Sequence, residues 1–151
     1  MKYWLMKSEP DVFSIHDLKK RGSSLWDGVR NYQARNFMRE MQPGDEVFFY
    51  HSSCPEPGIA GIMKVAKAAY PDPTQFNPEG PHYDPKSPPD KPRWDGVDVS
   101  FSEAFQEVLP LTQLKANPAL SNLALVQKGS RLSVIPVSAA EWKAILKMAS
   151  R

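Results

Sequence analysis

Between Pro71 and Pro92 lie 8 of the chain's 15 prolines, and no other stretch limits the fold as strongly. Proline lacks a backbone N–H and fixes φ, so neither a helix nor a central strand passes through these residues. Regular elements must therefore lie on either side of the run. It is too short to link two separate cores, and it carries Phe76, His82 and Tyr83. It reads as an ordered loop laid over a sheet or barrel, and loops of this length are commonly functional.

The flanking sequence supplies short elements of both kinds. "KYWLMK" (2–7) reads as a first strand, closed by Ser8, Glu9 and Pro10. Ser14 with Asp17 three residues on forms a variant capping box for a short helix, Phe13 and Leu18 sit at staple positions, and Gly22 ends it. Ala34, Phe37, Met38 and Met41 repeat as one face of a second helix, with Asn31 as its N-cap and Pro43-Gly44 as its stop. "DEVFFYHS" and "GIAGIMKVAKAAY" read as strands, Gly58 and Gly61 marking a turn and a bulge or close backbone approach. Beyond the prolines, "WDGVDVSFSEAF" alternates as a half-buried strand, and "PLTQLKAN" is a short helix with Pro110 at its first position. "RLSVIPVS" is a last strand in which Pro136 implies an edge or a bend. Ser138 and Glu141 cap a final helix whose apolar face is Trp142, Ile145, Leu146 and Ala149. Five or six short strands with short helices, out of regular βαβ alternation, predict an α+β domain around a small, mostly antiparallel barrel or curved sheet.

At 151 residues the chain fits one domain. A single cysteine excludes an internal disulfide and suits a reducing compartment, and no apolar run approaches the roughly 20 residues of a membrane span. The expectation is a cytoplasmic protein with no membrane association. A net charge of +2 is too small for a nonspecific polyanion binder, so any nucleic-acid contact is local.

No phosphate-loop or dinucleotide glycine motif is present, and the histidines match no zinc-protease spacing. His51 and Cys54 are close enough in sequence to suggest a base and a thiol, or with His82 a metal site, but residues i and i+3 at a strand end seldom face each other. No catalytic residue, metal or cofactor is expected. What remains is aromatic and polar. Trp4, Met6 and Trp142 fit core faces, whereas Trp26 precedes a turn and is followed by donors. Lys7, Ser8, His51 and Ser52 follow strands directly, and polar strand exits converge on the rim of a small barrel, where such folds keep ligands. Arg30, Arg35 and Arg39 form either a solvated face or a phosphate contact beside that rim.

"YWLMKSEP", "WDGVRNYQARNFMREM", "PGDEVFFYHSS", "PGIAGIMKV", "AYPDPTQF", "HYDPKS" and "RLSVIPVS" occur in the order found in EVE-domain proteins. The chain resembles that family along nearly its whole length, in particular the thymocyte nuclear protein branch and its bacterial single-domain relatives. The resemblance implies a PUA-like fold, a small β-barrel flanked by helices. It also implies a noncatalytic reader of modified bases, 5-methylcytosine and its oxidised derivatives foremost, in DNA or RNA. The family pocket maps onto Trp26 and the "VRN" after it, Lys7 and Ser8, and Tyr50, His51 and Ser52. On this mapping Trp26 is a stacking wall, Asn31, Ser8 or Ser52 reads the base edge, and Arg30, Arg35, Arg39 and Arg131 lie near phosphates. Two alternatives stay open: an enzyme or accessory factor in nucleic-acid modification using His51 or Cys54, and a nucleotide or small-molecule sensor using the same pocket.

Overall fold

A computed structural model describes residues 1–149. Six strands, β1 (Tyr3–Ser8), β2 (Ser23–Trp26), β3 (Glu46–His51), β4 (Gly58–Pro71), β5 (Asp95–Pro110) and β6 (Val134–Val137), alternate irregularly with helices α1 (Ile15–Arg21), α2 (Tyr32–Glu40), α3 (Leu111–Ala116) and α4 (Ala139–Met148). The strands form one sheet in the order β2-β5-β4-β3-β1-β6. Its pairings are antiparallel except for β1 and β3, which run parallel. Register shifts along the β3–β4 and β4–β5 ladders mark bulges, which bend long strands and raise their twist.

Both faces of the sheet are covered. Trp4 and Met6 of β1 face one core with Phe49, Val99, Ile15 and Leu18 of α1, and Ala34 and Met38 of α2. Leu5, between them, faces the other with Phe48, Leu114, Ile135, and Trp142 and Ile145 of α4. Burial on both sides explains why "YWLM" is apolar throughout instead of alternating.

The capping signals act as expected. The Ser14 and Ser138 hydroxyls accept from the backbone N–H of Asp17 and Glu141, and both carboxylates accept in return from the cap N–H. Gly61 is a close-approach position: a Cβ there would lie 2.3 Å from the Glu103 carbonyl oxygen and 2.8 Å from Ile15. Pro136 sits on an end strand. Lys7 N–H donates to the Ser133 carbonyl, so in the β1–β6 register Pro136 falls at a non-hydrogen-bonded position with its nitrogen facing away from β1.

Three elements differ from the sequence reading. A 3-10 helical turn, Pro73–Phe76, lies inside the proline run, where Pro73 stands at its start and so loses no helical hydrogen bond. Ser23–Trp26 is a strand, an end strand on β5, where the polar "SSLW" had given no period-2 signal. β5 runs to Pro110, which caps α3 from outside it, because the ladder to β4 continues as far as Gly58.

Candidate functional site

A cleft of about 620 Å³ opens where the ends of β1, β2 and β3 meet the proline-rich strap. The parallel pairing of β1 and β3 brings their C-terminal ends to one rim, with Ser8 opposite His51 and Ser52 N–H donating to the Ser8 carbonyl at 2.9 Å. The bond from Lys7 N–H to Ser133 ties the segment carrying Arg131 to the same rim. Of the residues expected from sequence, Lys7, Ser8, Trp26, Ser52 and Arg131 line this cleft.

Trp26 is 7% exposed. Its indole packs edge-on against Phe13 and Phe49, with ring centroids at 6.4 and 5.2 Å, so most of it belongs to the core and only a margin reaches the cleft. Phe13 lines the cleft beside it. Lys7, Arg21 and Arg131 bring positive charge, and among the described residues none of the three forms an ion pair. Burial holds the Lys7 ammonium below its ordinary pKa, which reflects a desolvated cation lacking an anionic neighbour. Arg21 is positioned over the Phe13 ring, 5.5 Å from its centroid, and donates to the Ser24 hydroxyl at 3.0 Å. Glu9 and Asp27 also line the cleft, so its field is mixed.

Residues 72–94 form the strap that closes one side. Asp72, fully buried, accepts from Thr74 N–H (2.8 Å), the Thr74 hydroxyl (2.6 Å), Gly28 N–H (2.9 Å) and Arg30 (3.0 Å). Burial alone would push the Asp72 carboxyl up. Those hydrogen bonds outweigh it and hold the group below its ordinary value. Gln75, also buried, bridges the strap by donating to the Asp72 and Trp94 carbonyls and accepting from the Ser87 hydroxyl and Trp94 N–H. The Trp94 indole N–H donates to Asp84 at 2.7 Å.

The remaining sequence candidates are engaged elsewhere. Arg30 directs five hydrogen bonds at Val29, Asp72, Thr74 and the His82 carbonyl, and its guanidinium sits over Trp94. It anchors the strap, so no donor is left to face a phosphate. Arg35 donates to Asn36 and the Arg93 carbonyl, and Arg39 pairs with Asp95. The Asn31 side-chain oxygen is taken up as the N-cap of α2, accepting from Ala34 N–H at 2.9 Å, and Asn31 lies outside the cleft lining. Tyr50 packs into the second core, where burial pushes its phenol up to about 12. The buried His51 accepts through Nε2 from Ile15 N–H at 3.1 Å, which places its proton on Nδ1 and satisfies an orphan donor of α1. Among the described residues no three His, Cys, Asp or Glu side chains gather as a metal site, and no helix is long and apolar enough to cross a membrane.

Three cleft residues were not assigned to a pocket from the sequence. Arg21 lies in the last turn of α1, Phe13 read as a staple, and His82 as part of the proline-rich loop. Each reaches the cleft through contacts that cross elements.

The EVE domain model matches residues 2–148. This chain belongs to the EVE domain family. A Pseudomonas syringae protein of known crystal structure is 60% identical, covering 97% of this chain and 98% of that one, with a TM-score of 0.96. Human thymocyte nuclear protein 1 is 47% identical over 97% of this chain and 73% of its own length. Its structure in complex with 5-methylcytosine containing DNA gives a TM-score of 0.93, covering 98% of this chain and 97% of that one. The YTH domain of Zygosaccharomyces rouxii MRB1, solved with N6-methyladenosine RNA, shares the fold at 14% identity, with a TM-score of 0.57 over 97% of this chain and 85% of its own. The α+β, PUA-like expectation is met.

Proposed function

We propose that this EVE domain is a noncatalytic reader that takes a modified nucleobase, of the 5-methylcytosine type, into the cleft between β1, β2 and the strap. The carrying observation is the human relative, 47% identical over the matched length and similar across nearly the whole fold, whose structure holds 5-methylcytosine containing DNA. The cleft suits that ligand class. Its volume of about 620 Å³ lies in the range of small-molecule sites. Phe13 and the margin of Trp26 offer apolar ring surface, Ser52 offers a hydroxyl for a base edge, the Ser8 oxygen can accept from one while its proton goes to the Phe13 carbonyl, and Lys7, Arg21 and Arg131 offer charge for the flanking backbone. A base read individually has left its stack, and aromatic contact and edge bonds repay that cost. Binding without catalysis is favoured because the acceptor nitrogen of His51 is committed to Ile15, which removes it as a base for Cys54.

The test is a panel of short oligonucleotides, differing only in the modification of one base, titrated at two salt concentrations. A buried methyl contributes about 0.8 kcal/mol, so its burial alone gives about a fourfold preference for the methylated base. Replacing Lys7 or Arg131 with Gln lowers the salt slope by about 1 for each phosphate no longer neutralised and leaves the base preference unchanged. Binding that ignores both salt and base identity refutes the reading. Trp26→Ala is a poor test, because emptying a buried indole site costs about 3–5 kcal/mol of stability whatever the ligand.

A further inference from the structure

The strap raises a question that the reader function leaves unanswered: why so short a segment carries so dense a hydrogen-bond network. Asp72, Gln75, Ser87 and Trp94 tie it to itself and to the turn after β2, and no buried side-chain polar atom among the described residues lacks a partner. What that network immobilises at the cleft is residue 82. The His82 carbonyl accepts two N–H groups of Arg30, at 3.0 and 2.7 Å, so its main chain is fixed. Its imidazole lies in the cleft lining and makes no side-chain hydrogen bond among the described residues. The tip of the ring rests on Gly28: a Cβ at that position would come within 2.7 Å of both Cε1 and Nε2. Gly28 has φ +76°, a conformation that disfavours a side chain there, and the ring settles against it two residues beyond Trp26.

We propose that His82 is a ligand-contacting, specificity-determining residue of the cleft, supplying the strap-side aromatic surface against which the inserted base lies. Asp72 and Arg30 are its positioning residues. The proposal rests on the reader function above. A side chain carried on a fixed main chain, and free of internal partners, gives up no existing hydrogen bond on contact and needs no ordering of its backbone.

The experiment compares the parent protein with His82→Ala and His82→Phe, using one single-stranded oligonucleotide that bears 5-methylcytosine. Removing one aromatic surface from beneath the base weakens binding about 5- to 150-fold in His82→Ala. His82→Phe keeps the ring and retains most of the affinity, and both variants melt with the parent. The imidazole Cε1–H signal of His82, identified among three histidines by its absence from His82→Ala, shifts when the oligonucleotide is added to the parent. If the parent binds while His82→Ala matches it within twofold and the parent's signal stays in place, the proposal is overturned and the reader function stands. If the parent binds no oligonucleotide of the modification panel, the reader function fails and this proposal with it. If His82→Ala folds poorly, the absence of the signal from His82→Phe identifies it instead, and its response in the parent decides the matter.

Discussion

Asp72→Asn isolates the anchor of the strap. The parent carboxylate receives four hydrogen bonds, two at each oxygen, with no exposure to solvent. An amide of the same shape accepts on one side only. Turned so that oxygen still meets Gly28 and Arg30, its NH2 can donate to the Thr74 hydroxyl but leaves Thr74 N–H unpaired. An unsatisfied buried donor costs about 1–3 kcal/mol, and the ion pair with Arg30 becomes a bond from the cation to a neutral amide oxygen, a further loss of about 1 kcal/mol. The sum, about 3 kcal/mol, lowers the melting temperature of a chain this long by about 6–12 °C. The pH dependence adds a second readout. Because the folded Asp72 carboxyl is held below its ordinary value, its stabilisation is fully present above pH of about 4. It is lost as pH falls through the lower folded value. The gap between parent and Asp72→Asn therefore narrows in acid, where the parent carboxyl is itself protonated. Thermal melts followed by circular dichroism between pH 2.5 and 7 (roughly the window set by an ordinary carboxylate) measure both. A difference under about 2 °C at pH 7, or a gap that stays constant into acid, refutes the reasoning.

Two further perturbations probe the wall that α1 gives the cleft. Burial, followed by the nearby His16, holds the buried His51 imidazole below its ordinary pKa. Its stabilisation is thus complete above pH of about 6.5 and drains away as pH falls, by at most about 1.4 kcal/mol per pH unit; His51→Gln flattens that slope in melts between pH 7 and 5, and an unchanged slope rejects the assignment. Gly61→Ala drives a methyl against the Glu103 carbonyl and Ile15, for a loss of about 1–3 kcal/mol in urea unfolding; a loss under about 0.5 kcal/mol shows that β4 and its neighbours separate there without cost.

Local rules were enough wherever the partner lay within a turn or two. The capping pairs Ser14–Asp17 and Ser138–Glu141, the Ala34/Met38 face of α2 and the end-strand position of Pro136 all follow from neighbours in sequence. Asn31 shows the ambiguity of such rules, because it satisfied both a capping pattern and a family pocket position, and its side chain serves the cap. Arg30 was unreadable for a different reason: its carboxylate partner, Asp72, lies 42 residues away in a segment recognisable only as proline-rich. β2 was hidden because two of its four residues are serine and its ladder is made with Val97–Ser100. The convergence of Lys7, Ser8 and Ser52 was anticipated from strand exits, but its cause, the parallel β1–β3 pair, has no signature in either strand alone.

The outward-facing nitrogen of Pro136 bears on how this molecule behaves in company. An end strand normally offers neighbours a row of donors and acceptors that invites another chain to extend the sheet. Here that row is broken at its second-last position, and it spans only Val134–Val137. The opposite end strand, β2, is also four residues long, and its flank opens into the cleft. Neither margin is a long template for extending the sheet. In a crowded solution, or with many copies spaced along one polymer, edge-to-edge pairing is the route of association that this fold blunts.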